Sequence, residues 1–98
     1  MITKLTNNNF ETETKNGLKL VEFFADWCGY CKKQEAELEQ MDKVWIGQVN
    51  ADENSELAIK HGIAGFPTFL VMKDGKEVTR FSGLRSKEDL MNVLMKFV

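Results

Sequence analysis

Several things are scarce in this 98-residue chain, and each scarcity removes a class of protein. There is one proline, one histidine and only two cysteines. Two cysteines and a single histidine fall short of the four ligands of a structural zinc site. No run of 18 apolar residues occurs, so no transmembrane helix is expected. The opening MITKLTNNNF is too polar for a secretory leader, so a cytoplasmic location and no membrane association are expected. Basic blocks are missing and the net charge is −2, which argues against nucleic acid as a partner. Repeats, low-complexity tracts and linkers are also missing, so residues 1–98 are expected to form one domain and a monomer.

What is present is an ordinary globular composition, 43% hydrophobic and 29% charged. The pattern alternates apolar runs with helical stretches. MITKL and LKLVEFFA, residues 18–25, read as strands, as do VWIGQVNA, residues 44–51, and TFLVM, residues 68–72. NNFETETKNG is a short helix stopped by Gly17, a second helix runs from about Cys28 to Met41, and NSELAIKHG is a third, closed by Gly62. Asp74-Gly75 is a hairpin signal, which makes EVTRFSG an antiparallel partner of TFLVM. SKEDLMNVLMKFV closes the chain as a helix. Ser86 and Asp89 form a capping-box-like start, and Leu90, Val93, Leu94 and Phe97 lie on one face. The order β-α-β-α-β-α-β-β-α predicts an α/β fold, a mixed central sheet with helices on both faces.

The two cysteines, Cys28 and Cys31, stand two residues apart in FFADWCGYCKKQEAEL. Three readings compete. A structural staple this short closes a loop worth only about 2 kcal/mol in the loop-entropy model. A metal site lacks ligands, because His61 is the only other soft donor and lies at a helix end where a solvated histidine is common. The third reading is thiol–disulfide exchange, in which one sulfur attacks a target disulfide and the other resolves the mixed disulfide. It carries the most weight, since this spacing in an alternating α/β chain suits redox chemistry. Cys28 falls at a helix start, where free N–H groups and the macrodipole favour a thiolate. Cys31, one turn deeper, is expected to be the more buried resolver. Lys32 and Lys33 are either a solvated face or a source of positive potential near Cys28, while Glu35, Glu37 and Glu39 follow along the helix.

With WCGYC, LVEFFADWCGYCK and HGIAGFPTFLVMKDGKEVTRFSG all in order, the whole chain resembles the thioredoxin family. The resemblance implies a thioredoxin fold and a protein disulfide oxidoreductase, here a reductant of protein disulfides. It implies no bound cofactor, because the disulfide itself carries two electrons. A thioredoxin reductase-type or other dithiol donor would regenerate it. Pro67 would be a cis-proline facing the cysteines, and Phe66 and Thr68 would offer backbone groups to an extended substrate. Trp27, Gly29, Tyr30, Gly83 and Leu84 would line the substrate groove, with Trp27 shielding the disulfide. Glu22 stands where the family places a buried aspartate, and would accept the proton of Cys31.

The departures are Tyr30 for the usual proline between the cysteines, Ala36 for a helix-kinking proline and Gln48 for a lysine that accompanies the buried acid. Tyr30 leaves open an oxidant or isomerase in an exported setting. A thioredoxin-fold binding module with incidental cysteines is the alternative of a different class. A glutaredoxin is a poorer match, since those carry Pro-Tyr between their cysteines.

Overall fold

A computed structural model describes residues 2–98, so Met1, expected to begin the first strand, lies outside the described residues. The elements are β1 (Ile2–Leu5), α1 (Phe10–Thr14), β2 (Leu18–Phe24), α2 (Gly29–Leu38), β3 (Ile46–Asn50), α3 (Ser55–Lys60), β4 (Thr68–Lys73), β5 (Lys76–Ser82) and α4 (Lys87–Leu94), which runs into a 3₁₀ turn at Met95–Phe97. The five strands form one sheet in the order β1-β3-β2-β4-β5. β3 is parallel to both β1 and β2, whereas β4 is antiparallel to β2 and to β5. This is the mixed sheet expected from the sequence.

Side-chain alternation along β2 divides the core into two layers. Val21 and Phe23 join Leu5, Phe10, Val49, Leu57, Leu70 and Met72 beneath α1 and α3. Leu20 joins Leu38, Ile46, Phe69, Val71, Leu90 and Leu94 beneath α2 and α4. Each fully buried side chain of this size contributes about 1.5–3 kcal/mol. Glu22 shares the second face, one alternation beyond Leu20, and therefore points a carboxyl group at α2. Among the described residues no helix is long and apolar enough to cross a membrane.

The hairpin turn is made as its residues demand, with Asp74 at φ 50° and Gly75 at φ 84°. Gly62, at φ 63°, ends α3 as expected. Ser86 Oγ accepts the N–H of Asp89 at 3.1 Å, capping α4. Other limits differ from expectation. α1 has only five residues, because the side chain of Asn9 turns back to accept the N–H of Thr6 instead of capping forward. α2 stops at Leu38, short of Met41, and the chain turns there with Met41 N–H bonded to the carbonyl of Leu38. β3 begins at Ile46, two residues later than expected. His61 is half-buried rather than freely solvated, with its ring against Phe10 and Phe23 at centroid distances of 4.9 and 5.9 Å.

The sheet edges are β1, four residues long, and β5, whose exposed positions include Lys76, Glu77 and Arg80. Arg80 and Glu77 form a two-pronged ion pair, Nη2 to Oε1 at 2.7 Å, and a register shift interrupts the β4–β5 ladder at Val71/Met72.

Gly47 tests the packing of the β1–β3 layer. A Cβ at this position would lie 2.9 Å from Leu5 Cγ and 2.8 Å from Trp45 Cη2. Gly47→Ala is expected to lower the urea unfolding free energy by about 1–3 kcal/mol, the cost of overpacking, with the fold retained by circular dichroism.

Candidate functional site

β2 ends at Phe24, and the chain turns through Ala25 and Asp26 into α2. Cys28 is the N-cap, with extended φ/ψ of −85° and 114°. Its Sγ accepts the N–H of Cys31 at 3.2 Å, taking the place a serine or aspartate oxygen usually fills. The two sulfurs are 2.6 Å apart and both are free thiols.

Cys31 was expected to be the more buried of the two, yet each is 6% exposed. Their surroundings differ instead. Burial pushes the Cys31 thiol up to about 12, reinforced by its hydrogen bond with Cys28 and by the carboxyl of Glu22. A proton is therefore held firmly on Cys31. Phe24 and Phe66 pack against the cysteines. Trp27 is 70% exposed and leans edge-on against Phe66, with centroids 5.6 Å apart at 83°. Phe66 thus joins the apolar cluster of Ala25, Cys28 and Cys31, with Trp27 braced against it. Trp27 Nε1 donates to Asp52 Oδ2 at 3.1 Å, which fixes the indole plane.

The Phe66–Pro67 peptide is cis and Pro67 is buried. Among the described residues neither the N–H nor the C=O of Phe66 has a hydrogen-bond partner, leaving a short open backbone edge beside Cys28. Thr68 differs from expectation. It is 3% exposed and paired with both Phe23 and Ser82 in the sheet, so its backbone is inside the ladder. Its hydroxyl donates to the Gly65 carbonyl at 2.6 Å and meets Ser82 Oγ at 3.0 Å, holding the turn into Pro67. Gly83, at φ 96°, donates its N–H to the Pro67 carbonyl at 2.9 Å. Leu84 follows, 43% exposed, and Tyr30 is 62% exposed. Gly29, the first residue of α2, is also exposed.

Glu22 is 1% exposed. Gln48 Nε2 donates to its Oε1 at 2.8 Å, while Oε2 is buried without a partner. Burial raises its pKa from an ordinary 4.5 to about 7; the Gln48 bond opposes the rise and nearby Glu35 adds to it. The same Gln48 nitrogen donates to Glu35 Oε2 at 2.8 Å.

Sequence reasoning missed three supporting residues. Asp52 anchors the indole across 25 positions. Gln34 is fully buried, and its amide clasps the backbone of Arg85, donating to the carbonyl at 2.9 Å and accepting the N–H at 2.8 Å. It thereby ties α2 to the loop that holds Gly83 and Leu84. Gln34 sits on the buried stripe of Cys31 and Leu38; a polar residue on such a stripe was the available signal. Glu35 is the third. Among the described residues no cluster of His, Cys, Asp and Glu is placed to hold a metal.

The Thioredoxin family model matches residues 1–96. The chain belongs to the thioredoxin family. Curated relatives include the thioredoxin of Chlamydia pneumoniae, 40% identical over 98% of this chain and 98% of its own length. The Bacillus subtilis thioredoxin is 40% identical over 97% of this chain and 96% of its own. Among solved structures, a single-site mutant of the thioredoxin from Halobacterium salinarum superposes with a TM-score of 0.90 at 27% identity, covering 98% of this chain and 89% of that one. Fasciola hepatica thioredoxin gives 0.79 at 37% identity over 89% and 86%. The architecture described above is the thioredoxin fold. The activity that goes with this family and this cysteine pair is protein thiol–disulfide oxidoreduction.

In this thioredoxin-family protein, Glu22 makes stability depend on pH. Below about 4.5 the carboxyl is protonated in both folded and unfolded chains, and burying it carries no ionic penalty. As pH rises from 4.5 towards about 7 the unfolded chain releases the proton and the folded chain keeps it, so stability falls. Above that window the loss is complete, about 3 kcal/mol. Urea unfolding at several pH values should show this decline in the wild type relative to Glu22→Gln, which lacks the ionisation. A constant difference between the two from acid to alkaline pH would contradict it.

Proposed function

We propose that residues 1–98 act as one cytoplasmic, monomeric domain that reduces protein disulfides. The observation that carries this reading is the Cys31 N–H directed at Cys28 Sγ, 3.2 Å away, at the open end of α2. That hydrogen bond places the Cys28 sulfur, and not that of Cys31, at the helix N-terminus with a donor aimed at it. Cys31, with its thiol pushed up to about 12, waits protonated.

Cys28 thiolate attacks one sulfur of a substrate disulfide. The substrate S–S bond breaks, a Cys28–substrate bond forms, and the other substrate sulfur leaves as a thiolate that takes a proton from water. Glu22 carboxylate then accepts the Cys31 proton, through water. The Cys31 thiolate attacks the Cys28 sulfur, the mixed disulfide breaks, and the second substrate sulfur departs as a thiolate that takes up, through water, the proton Glu22 received. The products are a substrate dithiol and a Cys28–Cys31 disulfide. A dithiol donor, of the thioredoxin reductase type or another, returns the two electrons, so the chain needs no bound cofactor.

Substrate docks against Trp27, Gly29, Tyr30 and Leu84, with its backbone paired to the open edge at Phe66 and its disulfide opposite Pro67. Thr68 and Gly83 act here as braces of that turn, through the hydroxyl and the N–H bond to Pro67.

Cys31→Ser should accumulate mixed disulfides between Cys28 and substrate, visible as thiol-sensitive adducts in mass spectra. If Cys28→Ser accumulates them instead, the attacker and resolver are reversed. Tyr30, in place of the family's usual proline between the cysteines, leaves the direction of electron flow to be measured. Equilibration with redox buffers decides it. A potential near about −270 mV is expected for a reductant, and one at about −180 mV or above would assign an oxidant or isomerase.

A further inference from the structure

Gln48 stands directly beside Glu22 in the β2–β3 register. Its carboxamide nitrogen carries two N–H donors, and each is taken by a different carboxylate: Glu22 Oε1 and Glu35 Oε2, both at 2.8 Å. Glu35 is four residues beyond Cys31 on α2, on the same helix face. It is half-buried, and with Cys31, Asp26 and Lys32 it lines a cavity of about 310 Å³.

A second carboxylate gathered on the same neutral donor disfavours ionisation of Glu22, because a like charge at this range raises its proton affinity. A lysine would neutralise one of the pair; an amide neutralises neither. The two partners are not equivalent. Glu22 is 1% exposed with one oxygen unpartnered, whereas Glu35 reaches the cavity. Burial is the larger cause of the raised proton affinity of Glu22, and Glu35 adds to it.

The other groups around Glu22 are mostly neutral. β4 brings Phe69 opposite it and α4 brings Leu90 and Leu94 into the same layer, all uncharged. α2 brings Cys31 and Glu35, and β3 brings the neutral Gln48. Asp26 and Lys32, one of each sign, are at the cavity wall.

We infer that Glu35 is a positioning residue for the exchange reaction: held to Glu22 through the shared Gln48 amide, it tunes the carboxyl group that takes the proton of Cys31. This rests on the reading of Glu22 as the base proposed above. It also gives the missing lysine a consequence, since a stronger base suits a reluctant acid such as Cys31.

The test uses the full chain with carboxyl-¹³C-labelled glutamate, titrated by NMR in the reduced state. In Glu35→Gln the Glu22 midpoint should fall by about half a pH unit or more, and in Gln48→Lys by about one unit or more. Glu35→Asp, which keeps the charge, should stay near the wild-type midpoint. In parallel, Cys28 is loaded with an aromatic thiol, and its release by Cys31 is followed against pH. The inflection of that rate should move to lower pH in Glu35→Gln, in step with the NMR midpoint. A merely structural Glu35 would alter the melting temperature and leave both midpoints where they were, which overturns the inference. Glu22→Gln separates the two levels. If its release profile matches the wild type, the base role fails and this inference falls with it. If Glu22→Gln changes the profile and Glu35→Gln does not, only the role of Glu35 is wrong.

Discussion

The first turn of α2 closes on a sulfur atom. A helix start needs an acceptor for its unpaired N–H groups, and here the acceptor is the side chain of Cys28. The same electron pairs that cap the helix are those that attack a disulfide, so reactivity and local folding share one atom. This places strict demands on the surroundings. The chain must leave β2 and enter the helix within a few residues, and Cys28 N–H is satisfied at once by the Ala25 carbonyl at 3.1 Å. The loop before β4 must come close enough for Phe66 to pack against the cluster of Ala25, Cys28 and Cys31.

Behind that turn lies an unusual concentration of polar groups in an apolar layer. Glu22, Gln48, Glu35 and Gln34 all occupy the face of the sheet covered by α2, where their neighbours are Leu20, Leu38, Ile46 and Phe69. Two glutamines solve two separate problems. Gln34 satisfies both of its amide groups on one backbone residue, so its burial costs little. Gln48 spreads its donors over two acids and leaves Glu22 Oε2 bare. The first arrangement is purely mechanical. The second leaves a carboxyl group of raised proton affinity next to the group whose proton must move.

Much of this architecture was readable in the chain. Strand alternation, Asp74-Gly75, Gly62 and the Ser86 cap each specify a local geometry that tertiary packing did not override. The two cysteines and Pro67 were marked by spacing and by scarcity. What stayed hidden were contacts between distant positions. Trp27 with Asp52, Gln34 with Arg85, and Glu22 with Gln48 are separated by 25, 51 and 26 residues, and no local pattern announces them. The start of α1 and the end of α2 differ from expectation for a related reason: the Asn9 side chain turns back to Thr6, and the chain turns after Leu38 with Met41 N–H on the Leu38 carbonyl, which no local pattern specifies. Thr68 was credited with an open backbone because it adjoins Pro67, although the ladder on both of its sides closes it.

The two outer strands deserve a last thought alongside Phe66. A sheet tends to recruit any extended chain that meets an unpaired edge. β1 is too short to template much, and β5 sets Lys76, Glu77 and Arg80 beside a ladder already bent at Val71/Met72. Those features make the long rims poor partners for a stray strand, while the two unused groups of Phe66 remain receptive. The borders of the sheet are thus closed to strand addition by their length, charge and bulge, and the one open backbone stretch lies beside the cysteine pair.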